Sequence, residues 1–165
     1  MLNPVDLSIV FAEDRIHGRH PGEIHPAVAW WVGSCLILTT RSHGVALVHD
    51  GTELAKQYAG LFNRGAINCQ HFAATVSVIG EGGQDLLAYA IRTLQVPGTL
   101  ISSAGAEVTI RLFASDGAEI REGAGLERIC DLIARDKVPI PVNDHSRGRV
   151  IHRPDLAHYF ATAEV

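Results

Sequence analysis

Apolar positions along the chain switch between a helical period and an alternating or continuous one, and the switches lay out a sequence of helices and strands. Val28, Trp31, Val32, Cys35 and Leu36 recur at i, i+3, i+4, i+7 and i+8, which predicts a helix beginning near Pro26. A short apolar run at 45–48, closed by His49-Asp50-Gly51, reads as a strand. Leu54, Tyr58, Leu61 and Phe62 then restore the helical stripe until Gly65. The β-branched stretch 73–79 predicts a second strand, stopped by Gly80-Glu81-Gly82-Gly83. Leu86, Leu87, Ala90, Ile91 and Leu94 form a third stripe ending before Pro97, and 99–102 is the next strand. Val108, Ile110 and Leu112 alternate with Thr109 and Arg111, Asp116-Gly117 makes a turn, and Leu126, Ile129, Cys130 and Ile133 mark a fourth helix.

Strands and helices alternating at these lengths predict an α/β/α layered domain over residues 1–137 with a mixed sheet. Residues 138–165 carry Pro139, Pro141, Asn143 and Asp144 and read as an extended tail followed by a short helical segment at 156–161. That stretch is too short to enclose a core of its own, so no second domain is expected.

Composition adds bounds rather than a function. A chain of 165 residues with 47% apolar content suits one domain, which buries roughly 70% of its unfolded surface without a disulfide or metal. No apolar run approaches the ~20 residues of a membrane span, and the acidic start around Asp6 lacks a signal peptide's basic end. A cytoplasmic protein without membrane attachment is expected. The formal charge of −4 and the absence of a dense Lys/Arg block argue against a nucleic-acid partner. Cys35, Cys69 and Cys130 lie far apart and form no C-x-x-C pair, so three buried thiols are expected.

His17, His20 and His25, beside Glu13 and Glu23, bring together side chains able to bind zinc or nickel, but the spacing is looser than zinc motifs and lies on a loop, so solvated histidines are the expected reading. No metal site is assigned. Trp30 lies off the Val28-Trp31-Val32 stripe, which suits either a self-association or partner surface or partial cover by the tail.

Two stretches, Phe11-Ala12-Glu13-Asp14-Arg15-Ile16-His17-Gly18 and Thr99-Leu100-Ile101-Ser102-Ser103-Ala104-Gly105-Ala106, carry a resemblance to the α-D-phosphohexomutase superfamily. The first is similar to the opening F-G-T-D-G-I-R-G of phosphoglucosamine mutases and phosphomannomutases. Phe11, Asp14, Ile16 and Gly18 match, while His17 stands at the arginine and Arg15 at a glycine. Val45 to Thr52 resembles the family's V-A-V-G-x-D-x-R, with Asp50 kept and Thr52 at the arginine. The second stretch resembles the active-site loop T-(G/A)-S-H-N-P, whose serine carries the exchanged phosphoryl group. Ser103 falls at the serine, and Ala104, Gly105 and Ala106 replace His, Asn and Pro.

The likeness covers nearly the whole chain as the first domain of a four-domain architecture. It implies Ser103 as catalytic nucleophile and Ser102, Asp14, Arg15, His17 and Asp50 as ligand-binding positions. Each also has an ordinary reading. The two serines can end a strand in a polar loop, Asp50 can cap a turn and helix, and Asp14 can serve a turn or pair with Arg15.

Phosphoryl transfer depends on positioning and on cations that offset developing charge. The family's Mg²⁺ is held by D-x-D-x-D from its second domain, and that motif is absent from this chain. Losing the Lewis acid costs on the order of 10³-fold or more in rate. The resemblance therefore implies a stand-alone, non-catalytic domain that binds a phosphorylated sugar or a protein partner, a second copy included, and exposes an apolar face where relatives pack further domains. The alternative is an intramolecular phosphotransferase acting through Ser103, with Mg²⁺ and the missing domains supplied by another chain.

Overall fold

The computed structural model describes residues 5–69, 71–139 and 143–163. Its elements are α1 (Leu7–Val10), β1 (Ile16–Arg19), α2 (Pro26–Thr40), β2 (Gly44–His49), α3 (Glu53–Ile67), β3 (Thr75–Glu81), α4 (Gln84–Leu94), β4 (Gly98–Ala104), β5 (Glu107–Phe113), α5 (Leu126–Ala134), β6 (Arg149–His152) and α6 (Pro154–Ala163). One six-stranded sheet has the order β1-β5-β4-β2-β3-β6. β4, β2, β3 and β6 are parallel neighbours, and β5 runs against β4 and β1.

Alternation in the central strands assigns the layers. Val45, Leu47, Val76, Val78 and Ile101 join the core built with Val28 and Leu36 of α2, Phe62 of α3 and Ile129 of α5. Ala46, Val48, Ile79 and Leu100 face the other way, onto Leu87 and Ile91 of α4 and Leu156 of α6. This is the expected three-layer α/β/α arrangement with a mixed sheet. Each large side chain fully buried in these layers contributes about 1.5–3 kcal/mol of hydrophobic stabilisation.

Helix α2 differs from its predicted stripe. Val28, Val32, Cys35 and Leu36 are buried, but so are Ala29, Gly33, Ser34 and Ile37, because α2 lies against the sheet, α3 and α5 at once. Its crossing with α3 leaves no room for side chains. A Cβ on Gly33 would sit 2.4 Å from the Phe62 carbonyl oxygen, and one on Gly65 would sit 1.9 Å from that of Trp30. Trp30 itself is half-buried, with its main chain held in this crossing.

The stretch read as an extended tail does more than trail. Gly148 and Arg149 donate N–H groups to the carbonyls of Ile67 and Ala74, and Arg149–His152 then pairs in parallel with β3 as the edge strand β6. α6 follows, burying Leu156. Four residues with charged ends carry too little alternation to announce a strand, and β3 supplies the pairing.

Cys35 and Cys69 are buried as expected, whereas Cys130 is half-exposed on α5. Burial pushes the Cys35 thiol up to about 12 and that of Cys69 up to about 11, which leaves both unreactive. Large hydrophobic side chains that are exposed among the described residues are Ile9 and Tyr159. They lie apart, on α1 against the edge strand β1 and on α6 against β3, four places away in the sheet. Among the described residues no helix is long and apolar enough to cross a membrane.

Candidate functional site

Past the end of β2, Asp50, Gly51 and Thr52 turn the chain into α3 and stand beside the end of β4. The Asp50 N–H donates to the Ile101 carbonyl at 3.1 Å, which extends the β2–β4 ladder by one rung. A side chain makes the next rung: the Ser103 N–H donates to Asp50 Oδ2 at 2.8 Å. Asp50 Oδ1 accepts the Thr52 N–H at 3.0 Å and the Thr52 hydroxyl at 2.7 Å. Thr52 Oγ1 accepts from the Ala55 N–H at 3.2 Å, so it caps α3.

Thr52 Oγ1 also lies 2.7 Å from Ser103 Oγ. A threonine hydroxyl has one proton, and here it goes to the carboxylate, so the Ser103 hydroxyl is the donor to Thr52. The result is a directed chain from Ser103 through Thr52 to Asp50. Burial opposes charge on Asp50, but hydrogen bonds from the Thr52 hydroxyl, the Ser103 N–H and the Thr52 N–H hold its carboxyl below the usual value. A carboxylate stabilised in this way is a poor base. The chain therefore orients the Ser103 hydroxyl without activating it.

The predicted loop around the serines is contracted. Ala104 pairs with Glu107, leaving Gly105-Ala106 as a two-residue hairpin turn with Gly105 at φ +60°. Ser102 and Ser103 are consequently rungs of β4, opposite Thr109 and Val108. The small residues Ala104, Gly105 and Ala106 permit the tight turn. Successive strand residues face opposite ways, so Ser103 shares the α3 side with Ile101 while Ser102 shares the α4 side with Leu100.

The remaining predicted positions lie elsewhere. His17 pairs across the sheet with Thr109. Its Nδ1 is 2.9 Å from Glu107 Oε1, and its Nε2 is buried without a hydrogen-bond partner among the described residues. Asp14 accepts the Glu122 N–H, and Arg15 pairs with Glu13 at 3.1 Å rather than with Asp14. Strand spacings put Arg15 about 14 Å from Ser103, two strands across and three residues along. The structure thus joins Asp50 and Ser103 and separates them from Asp14, Arg15, His17 and Ser102.

Asp14 and Arg15 instead line a polar cavity of about 270 Å³ with Glu13, Arg111, Glu119 and Arg121. Arg111 grips Glu119 with two bonds, of 2.8 and 3.0 Å, and Arg121 adds two more, of 2.8 and 3.2 Å. Outweighing burial, the hydrogen bonds from Arg111 and then Arg121 hold the Glu119 carboxyl down at about 2. Sequence reasoning missed this cluster, although the Asp116-Gly117 turn is its signal: the turn folds Glu119 back beside Phe113. It also missed Thr52, whose place before Glu53 at a helix start signals a cap.

The three histidines take separate partners. His17 meets Glu107, His20 Nδ1 lies 2.8 Å from the Tyr58 hydroxyl, and the His25 ring stands edge-on to Trp31 at 5.6 Å. Among the described residues no group of three His, Cys, Asp or Glu side chains converges to hold a metal. In the Ser103 network among the described residues Asp50 is the carboxylate, and it accepts three N–H or O–H donors.

No protein-family model and no curated protein matches the chain. Solved structures do. A phosphoglucomutase/phosphomannomutase family protein from Burkholderia thailandensis superposes with a TM-score of 0.72 at 16% identity, over 90% of this chain and 33% of its own. A protein described as a phosphomannomutase from Thermus thermophilus superposes with a TM-score of 0.68 at 18% identity, over 100% of this chain and 37% of its own. The chain thus spans about a third of the proteins it matches. At these identities the likeness is one of fold, and it coincides with the resemblance in the motifs: the chain has the α/β/α fold of a single domain of phosphoglucomutase/phosphomannomutase family proteins.

Proposed function

We propose that this chain is a non-catalytic binding domain on a phosphohexomutase fold, acting through contact with a protein partner in a cytoplasmic, carbohydrate-metabolising setting. In support of a single domain, β6 pairs with β3 and α6 packs Leu156 into the second helical layer. The observation that carries the reading is the position of Asp50. Its carboxylate takes the N–H of Thr52, just before α3, and the N–H of Ser103 in β4, so a negative charge already occupies the place beside the helix start where a phosphate would bind. An incoming phosphate would be repelled by that charge.

Intact-mass measurement and turnover assays test this. The purified protein is expected at its unmodified mass, with no interconversion of glucose 1-phosphate or mannose 1-phosphate in the presence of Mg²⁺ and a sugar bisphosphate. A population heavier by one phosphoryl group, or turnover, overturns the reading. A phosphorylated sugar as ligand is the separate arm: at 100 times its Kd it would stabilise the fold by about 2.7 kcal/mol, a readily seen thermal shift. No shift with hexose phosphates leaves the protein partner.

The second reading is an intramolecular phosphotransferase completed in trans through Ser103. The chain's span of about a third of its structural relatives favours it, as does the orderly donor bond of the Ser103 hydroxyl. The partner would bring the Mg²⁺-binding aspartates. Phosphorylation of Ser103 on mixing with such a partner, Mg²⁺ and a sugar bisphosphate would support it.

A further inference from the structure

Apart from the Ser103 network, α5 and the residue ending α1 leave an open groove of about 300 Å³. Phe11, Leu126, Cys130 and Ala134 supply its apolar surface, and Glu122, Glu127 and Asp131 supply its charge. The helix dictates this division. Leu126 and Ile129 turn into the core, so 127 with 131 and 130 with 134, each pair one turn apart, line up along the outward side. Asp131 is paired with Arg135 at 2.9 Å. Glu127 is fixed at the edge by the Gly123 N–H, 2.8 Å from its Oε2. Neither Glu122 nor Glu127 is in a salt bridge with a cation among the described residues.

We infer that this groove docks a cationic amphipathic segment of a partner protein, one apolar side chain entering between Phe11, Leu126 and Cys130 while flanking Lys or Arg residues meet Glu122 and Glu127. Charge selects the occupant. The carboxylates repel nucleic acid and anionic lipid, and a wholly apolar segment would desolvate them without compensation. A basic segment buries the apolar surface and supplies the missing counter-charge together. The inference stands independently of Ser103, because no residue of the groove belongs to that network.

The test uses an amphipathic helical peptide of Leu and Lys, with a Leu and Glu peptide of the same pattern as control. Binding is followed calorimetrically at low and high salt, and also by alkylation of Cys130, since Cys35 and Cys69 are buried and Cys130 is not. The Leu-Lys peptide is expected to bind at least about tenfold tighter than its counterpart, to weaken with salt and to slow Cys130 alkylation. Replacing Glu122→Gln and Glu127→Gln together should cost about tenfold in affinity. Replacing the exposed Glu53→Gln and Asp85→Asn, the same change in net charge away from the groove, should leave it within about twofold. Equal binding of the two peptides, an unprotected Cys130, or equal losses in the two double variants would overturn the assignment.

Discussion

The α2–α3 crossing and the β4–β5 tip lie in one domain but are built on opposite terms. At the crossing, backbone packs on backbone, and the two glycines face carbonyl oxygens at 2.4 and 1.9 Å from where a Cβ would stand. Nothing there can be enlarged without moving a helix. At the tip, small polar groups trade hydrogen bonds in a half-exposed setting: Asp50, Thr52 and Ser103 interlock, and a two-residue turn replaces a loop. The contrast teaches where this fold tolerates substitution. A frame held by steric contact persists while polar groups at its edge are exchanged, because the edge contributes hydrogen bonds worth about 1 kcal/mol each rather than irreplaceable volume.

Changes at the two regions should therefore differ in size. Gly65→Ala is expected to have the largest effect, a loss of about 3 kcal/mol in urea denaturation, since its Cβ meets main chain that has no rotamer to yield. A loss below about 1 kcal/mol would show the crossing to be looser than its geometry. At the tip, Asp50→Asn replaces a carboxylate that accepts from three donors, and its expected cost is about 2 kcal/mol. Thr52→Val removes the α3 cap and the link to Ser103, with an expected cost of about 1 kcal/mol.

The comparison can be sharpened by pH. Glu119 is held down at about 2 in the folded chain, from an ordinary 4.5. The unfolded chain then binds the proton first, so this part of stability is present above pH 4.5 and is lost as the pH falls toward 2. Asp50 acts in the same direction because its carboxyl is also held low. Urea midpoints measured across that window should fall with acid, and less steeply in Glu119→Gln. Ser103→Ala should show the smallest change, about 0.5 kcal/mol, because it removes one half-exposed hydroxyl bond. A cost equal to that of Asp50→Asn would make Ser103 a structural partner rather than a bystander at the tip.

Much of the frame was legible in the residues. The stripe from Val28 to Leu36, the apolar run at 45–48 and the alternation of Val108, Ile110 and Leu112 each carry their own period, so they declare helix or strand without neighbours. Within the candidate site, Asp50 and Ser103 could be named from the motif resemblance, but their meeting could not. They are 53 positions apart, and only the parallel pairing of β2 with β4 brings them together. Arg111 with Glu119 was similarly hidden, because a salt bridge between strand and turn depends on how the turn closes. The edge strand β6 was hidden for another reason, as four residues with charged ends have no internal signal and acquire their conformation from β3.

By itself, then, the order of residues determined the alternation of elements and the layered class, since these follow from local periodicity and residue chemistry. Tertiary structure alone decided that α2 is enclosed on several sides, that Ser103 is a strand rung tied through Thr52 to Asp50, and that the other implied ligand positions stand apart. The physical reason is range: periodicity acts over a few residues, whereas hydrogen-bonded networks and close helix crossings exist only after distant segments have packed.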